Sequence, residues 1–269
     1  MKDGYKLLVL FDPHIQTNPA PGTTKGWKPA TSRALTTAME FGEFWKPDET
    51  IVGHDFMEFG PISYWNQRRR LDMEGRRLAH DFEYANQILD CICGFTTTKI
   101  IFQPGNHDAW MSDYIQENPS LEGLINTGKM LGFKSRNIQE LKYGLPYRVG
   151  KAAFSHSLLN NRKTFNTKYH SSRIAEDYGR SIFYGHFHTH QVYTRVTYDS
   201  KPNTAVGIGC LGNLNPGWLR NSPNAWVNQL LFMEFDKQGH FTFYCPILIN
   251  GKFSYGGKVF GNVTKGRSA

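Results

Sequence analysis

Five short segments of this chain carry oxygen and imidazole donors of the kind that hold divalent cations and move protons. They are Asp12-Pro13-His14, Gly53-His54-Asp55, Gly105-Asn106-His107-Asp108, Ser155-His156 and Gly185-His186-Phe187-His188. Imidazole, carboxylate and amide donors without a thiolate suit manganese, iron or zinc. A pair of such ions roughly 3.5–4 Å apart acidifies a shared water and clamps phosphoryl oxygens. Alone, each segment says little: a single DxH or HxH is commonplace, and Gly-Asn is turn chemistry. The conjunction is informative, because the five hold six of the ten histidines in the chain. Side chains on extended backbone repeat with period two, so Asp12 and His14 are expected to face one side, as are His186 and His188. The same rule turns His54 away from Asp55 and into the sheet.

Each segment lies at or just after an apolar run that reads as a buried strand: Leu7 to Phe11, Thr50 to Val52, Lys99 to Phe102, Ala152 to Phe154 and Ser181 to Tyr184. Ligands in open α/β sheets gather just beyond the carboxyl ends of strands, so five clusters spread over the chain can converge. Between them, Thr31 to Phe44 reads as a helix capped by Thr31 or Ser32. Pro61 to about Ile92 reads as a long helical region, broken near Gly75, and Ser112 to Leu131 as another. A Pro/Gly/Thr-rich stretch, Gln16 to Pro29, is long enough to be a functional loop. From Tyr143 onward short alternating runs dominate, interrupted by a helix near Lys168 to Tyr178. Gly150-Lys151, Asp236 to Gly239 and Asn250-Gly251 read as hairpin turns. Two sheets face to face with helices outside is the economical arrangement.

In order and spacing the five segments resemble the calcineurin-like metallophosphoesterase superfamily, whose pattern runs DxH, GDxx(D/E), GNH(D/E), a histidine after a strand, and GHxH. The resemblance covers Leu7 to about His190. It implies an α/β (α+β) fold, a four-layer αββα sandwich with two mixed β-sheets and the active site at strand C-terminal ends, as one domain over 1–269. It also implies two divalent metal ions, manganese first, with iron, zinc or magnesium as alternatives. Carried over residue by residue, Asp12, His14 and His188 hold one ion, Asn106, His156 and His186 the other, and Asp55 bridges. His107 takes the place of the histidine that stabilises the transition state or protonates the leaving oxygen, and Asp108 is expected to orient it. Two departures stand out: His54 precedes the bridging carboxylate, and Glu58 stands where Asp is frequent. The layout also resembles, more distantly, stand-alone phage and prophage members grouped with DNA-repair exonucleases.

Thirty-one Lys and Arg against 23 Asp and Glu leave a net charge of +8, which favours encounters with polyanions. After Tyr64 and Trp65 come Arg68, Arg69 and Arg70, then Arg76 and Arg77; Asn213 to Arg220 reads as a loop exposing Trp218 and Arg220. Arg68, Arg69, Arg70, Trp218 and Arg220 are therefore expected to bind DNA or RNA as substrate, by phosphate contacts and base stacking. The competing reading of the arginines is a solvated helix on which Asp72 and Glu74 pair with them. No stretch approaches a membrane span and no secretory signal opens the chain. Cys91, Cys93, Cys210 and Cys245 have neither zinc nor disulfide spacing and are expected to be buried or half-buried thiols, which fits a cytoplasmic protein. The resulting expectation is a metal-dependent phosphodiesterase acting as a nuclease. The alternatives are a phosphomonoesterase on phosphoprotein or small esters, and a non-catalytic binding module of the same fold.

Overall fold

In the computed structural model, which describes residues 1–20, 26–156, 158–160, 163–164, 168–198 and 200–262, the first strand decides the layering. Strand β1 (Tyr5–Phe11) is apolar on both faces. Its Leu7, Val9 and Phe11 enter one apolar cluster, and Leu8 and Leu10 enter another. A strand buried on both sides must lie between two layers. Strands β2 (Glu49–Gly53) and β3 (Lys99–Gln103) repeat the pattern: Ile51 and Ile101 join Leu7 and Val9, while Val52, Ile100 and Phe102 join Leu8.

β1, β2, β3 and β4 (Ile138–Glu140) run parallel. The second sheet takes β5 (Tyr147–Val149), β6 (Ala152–Ser155), β7 (Ile182–Tyr184), β8 (Gln191–Thr197) and β9 (Ser200–Gly207). Its order is β8-β9-β7-β6-β5, with β9, β7 and β6 parallel and both edges antiparallel. The chain then returns to the first sheet, where β10 (Leu231–Phe235) pairs antiparallel with β1 and β11 (Phe241–Tyr244) closes that edge. Both sheets are mixed, as expected. Phe154, Phe183 and Val206 of the second sheet meet Leu7, Val9 and Phe11 of the first in the central cluster.

Helices α1 (Arg33–Trp45) and α2 (Leu78–Phe95) cover the outer face of the first sheet through Phe41, Ala85, Leu89 and Ile92. Ser32 caps α1 by accepting from the Leu35 amide, an ordinary N-cap bond. Helix α3 (Asn106–Glu117) follows β3 directly, and α4 (Thr127–Met130) is a single turn. Helix α5 (His170–Tyr178) packs Ile174 and Ala175 on the outer face of the second sheet, against Ile182 and Tyr184. Helix, sheet, sheet, helix is the layer sequence.

Four sequence expectations need correction. Residues 61–77 form 3₁₀ helix and hydrogen-bonded turns, and α2 begins only at Leu78. The apolar period starts to matter where Phe82, Ala85 and Leu89 have a core to meet; before that, Gly75 takes a positive φ of 73° and Arg76 reaches Gln16 and Asn18. The helix foreseen from Ser112 to Leu131 instead starts at Asn106, ends at Glu117 and resumes for one turn at Thr127. The Gln16–Pro29 loop contains a small hairpin, Thr17–Pro19 with Trp27–Pro29; residues 21–25 lie outside the described part. Cys91 is exposed, because α2 buries the faces of Ala85, Ile88, Leu89 and Ile92. No helix among the described residues is long and apolar enough to cross a membrane.

Candidate metal centre

The five segments occupy the carboxyl ends of β1, β2, β3, β6 and β7, and the order of the strands brings them side by side. The backbone there is far from extended. Asp12, His14, His54, Asp55, His186 and His188 all have φ between 47° and 73°, a region costly for residues with a Cβ and found mainly where function holds it. Asp12 with His14, and His186 with His188, therefore converge through left-handed turns beyond the strands. The period-two argument reached the right partners by the wrong geometry.

Donor atoms gather in two groups, and Asp55, a member of the first, also lies with His14 and His107. In one, Asn106 Oδ1 lies 2.8 Å from His156 Nε2 and 3.1 Å from His186 Nδ1. His156 Nε2 in turn lies 3.2 Å from His186 Nδ1 and 3.3 Å from Asp55 Oδ2. In the other, His14 Nε2 lies 3.2 Å from His188 Nε2, and Asp12 Oδ1 lies 3.9 Å from the latter. Asp12, His14 and His188, and again Asp55, His156 and His186, offer ligand atoms within 4.8 Å of one another. Donors about 2.1 Å from a common cation stand about 3.0–3.4 Å apart in octahedral or tetrahedral arrangements. Asp12 Oδ1 is buried without a hydrogen-bond partner, with His156 Nδ1 3.4 Å away, a costly state for a carboxylate oxygen in a dry interior. The donor set fits bound cations better than it fits itself.

Close approach explains two motif glycines. A Cβ on Gly105 would overlap the Asp55 carboxylate, and one on Gly185 would overlap the Asp12 carboxylate. Gly105 is extended, at φ −97° and ψ −172°, so space and not backbone freedom requires it. His54 is fully buried and lies flat on Phe11 at 3.7 Å. Gln103 Nε2 donates to the carbonyls of Leu145 and Phe154, leaving Oε1 to accept from His54 Nε2 at 2.7 Å. His54 thus carries its proton on Nε2, and burial holds its pKa well below the ordinary value. It is a neutral side chain packed on Phe11, as expected, but a left-handed turn just past the strand and not strand alternation puts it there.

His107 stacks on Trp110 with ring centroids 3.8 Å apart. Its Nδ1 lies 3.2 Å from the Glu58 carbonyl and 3.5 Å from Glu58 Oε2, and its Nε2 lies 3.9 Å from Asp55 Oδ2. Burial works against a charged ring, but Asp55 and Glu58 outweigh it and hold the pKa up at about 9. Glu58 Oε2 also accepts from His14 Nδ1 at 2.7 Å, which turns the His14 Nε2 lone pair toward His188; such outer partners set ligand tautomers. Burial would raise the Glu58 carboxyl, yet its hydrogen bonds with His107 and His14 bring it down to about 2.

Asp108 does not orient His107. Its carboxylate accepts from the backbone amides of Gly105, Phe56 and Met57 at 2.9, 3.1 and 3.3 Å. Adjacent residues on a helix diverge by about 100°, so Asp108 faces back to the helix start and the Asp55 loop. The carboxylate beside His107 is Glu58, three residues after Asp55; the sequence marked it only as a departure.

A cavity of about 140 Å³ opens over the donors, lined by His14, Asp55, His107, His186, Trp218 and Trp226 among others. Trp226, which the sequence reading passed over, sits 4.4 Å from the His188 ring and 5.6 Å from Trp218. Two wider clefts share Glu58 and Trp218 with this cavity. One, of about 360 Å³, is polar and includes Asn18, Arg69 and Arg76; the other, of about 500 Å³, includes Trp65, Trp110 and Arg220. Of the residues expected to bind substrate, Trp218 and Arg220 stand at the mouth. Arg69 is committed as a brace, donating to Gly217 O at 3.1 Å and pairing with Asp72 at 2.6 Å. Arg68 and Arg70 are exposed and line neither cleft.

No protein-family model matches the chain, and no curated protein sequence is similar to it. Among solved structures, Vps29 of Chaetomium thermophilum shares 10% identity over 90% of this chain and 97% of its own, with a TM-score of 0.36. A likeness that distant carries no weight on function, which has to be read from the site.

Proposed function

We propose that this chain is a dinuclear-metal-dependent phosphodiesterase that cleaves DNA or RNA. The observation that carries the reading is the convergence of seven donors from five strand ends, with Asp55 grouped both with His156 and His186 and with His14. Asp12, His14 and His188 would hold one cation, Asn106, His156 and His186 the other, a donor set that suits manganese, iron or zinc. Bound there, the cations would supply Lewis acidity: a water nucleophilic at neutral pH and charge neutralisation for phosphoryl oxygens.

The chain's own residues supply the rest. Glu58 fixes the tautomer of His14 and holds His107 by its Nδ1 side. His107 Nε2 faces the Asp55 side of the cavity, where the ring can give a proton to the leaving oxygen. Trp110 covers one face of that ring and keeps water from it. The excess of positive charge and the two clefts leading from the centre support a polymeric anion over a small ester.

The test compares bis-p-nitrophenyl phosphate with p-nitrophenyl phosphate under manganese, on protein whose metal content has been measured. Faster turnover of the diester is expected. A preference for the monoester would replace this reading with a phosphomonoesterase. Absence of any bound or bindable transition metal would leave a non-catalytic binding module.

A further inference from the structure

The 500 Å³ cleft beside the metal centre is built differently from its neighbour. One wall comes from Ser63, Trp65 and Arg69, the other from Trp218 and Arg220, and His107 with Trp110 lies where the cleft meets the donors. Trp65 is 74% exposed and Trp218 46%, so both indoles present surface to solvent, Trp218 with Trp226 edge-on beside it. Exposed tryptophans grouped around a cleft are costly to leave wet and mark a binding surface. Arg69 ties the walls together through Gly217 O, so the cleft is braced in advance of any ligand. Its one carboxylate, Glu58, is engaged by His14 and His107. Arg220 is exposed and has no carboxylate partner among the described residues. Flat apolar faces beside an uncompensated cation call for a ligand that is itself flat and anionic.

We propose that this cleft takes one unpaired base of a single-stranded nucleic acid, stacked on Trp65 and Trp218, with Arg220 on an adjoining phosphate. This rests on the nucleic-acid reading above and narrows it from polynucleotide to single strands or frayed ends. Base pairs within a duplex offer only their edges in the grooves, so indole faces have nothing to lie on until a base leaves the stack. Stacking with a nearby cation tolerates any sequence, so the cleft selects strandedness and not base identity. The substrate then enters with a base in the aromatic cleft and its phosphate over the donors beside His107.

The experiment measures fluorescence anisotropy of a labelled, phosphorothioate-linked oligothymidylate, and of a blunt duplex of equal length, with manganese present. Wild type is expected to bind the single strand more tightly. Trp65→Ala and Trp218→Ala are each expected to weaken that binding about 5- to 150-fold. Trp65→Phe should recover most of the loss, since a phenyl ring still stacks. Duplex binding at least as tight as single-strand binding overturns the proposal, as do alanine variants within twofold of wild type. Hydrolysis of bis-p-nitrophenyl phosphate by wild type keeps the two readings apart. Turnover with tryptophan-independent binding sinks the base cleft alone. Tryptophan-dependent binding without metal or turnover sinks the catalytic reading alone.

Discussion

Asp108 separates a structural from a catalytic role, and its substitution can be worked from the geometry. The carboxylate is buried and accepts three backbone amides, those of Gly105, Phe56 and Met57. Asp108→Ala strands all three donors, each worth about 1–3 kcal/mol when buried and unsatisfied. The sum is an upper bound, because a cavity of about 590 Å³ borders Asp108 on the far side of α3 and lets water reach part of the gap. A loss of about 3–4 kcal/mol is the expected result. Asp108→Asn keeps one oxygen, which can still serve Gly105 and Phe56 through the shorter bonds, but sets an amide N–H against the Met57 amide. A loss of about 1–2 kcal/mol follows. The assay is urea unfolding at unchanged m-value, run beside turnover on a chromogenic diester. If Asp108 instead oriented His107, turnover would collapse while stability held. An alanine variant within about 0.5 kcal/mol of wild type, yet nearly inactive, would refute the anchoring role.

His107→Gln should lower diester turnover by about 10²- to 10⁴-fold with metal content unchanged, the usual worth of a positioned proton donor; loss of metal in that variant would make His107 a ligand. Asp55→Asn should weaken both cations together, since one carboxylate serves two donor groups, and equilibrium dialysis showing two tightly held equivalents would break the assignment. Arg68, Arg70 and Arg220 changed together to Gln should flatten the salt dependence of oligonucleotide binding; an unchanged slope would mean these exposed cations touch no phosphate. His170 is buried against Phe187, with Tyr184 Oη 2.6 Å from Nδ1 and Thr189 Oγ1 3.0 Å from Nε2. Burial pulls its pKa from 6.5 to about 4, so its folded form resists the proton that the unfolded chain accepts. Its stability is full above pH 6.5 and declines as the pH falls toward 4; His170→Gln should lose less over that window, and equal losses in urea midpoint would discount the residue.

The donor types and their order were legible in the sequence because metal ligands are chemically restricted and sit at strand ends, where an apolar run stops and a polar cluster begins. The layered fold was legible for the same reason. Leu7 to Phe11 is apolar at every position, and such a strand needs cover on both sides. Ser32 as a cap and the hairpin turns at Gly150 and Asp236 are local chemistry, readable without a partner.

What the tertiary structure decided depends on distance across the fold. Residues 61–77 have helical composition, yet Arg76 finds Gln16 and Asn18, and Arg69 reaches Gly217 as well as its near neighbour Asp72. Glu58 takes the place beside His107 that was expected of Asp108 because reach depends on the direction of each side chain from its backbone, and only the folded backbone sets that direction. His107 adjoins Asp108 in sequence, but Glu58, from another strand end, is the carboxylate its ring meets. The left-handed turns at Asp12, His14, His186 and His188 were likewise not read from the sequence, because Asp and His only modestly favour that region and the surrounding fold decides whether they enter it. Residue types determined which donors the chain owns; packing of the two sheets determined where those donors point, because strained backbone persists only when the surrounding contacts hold it.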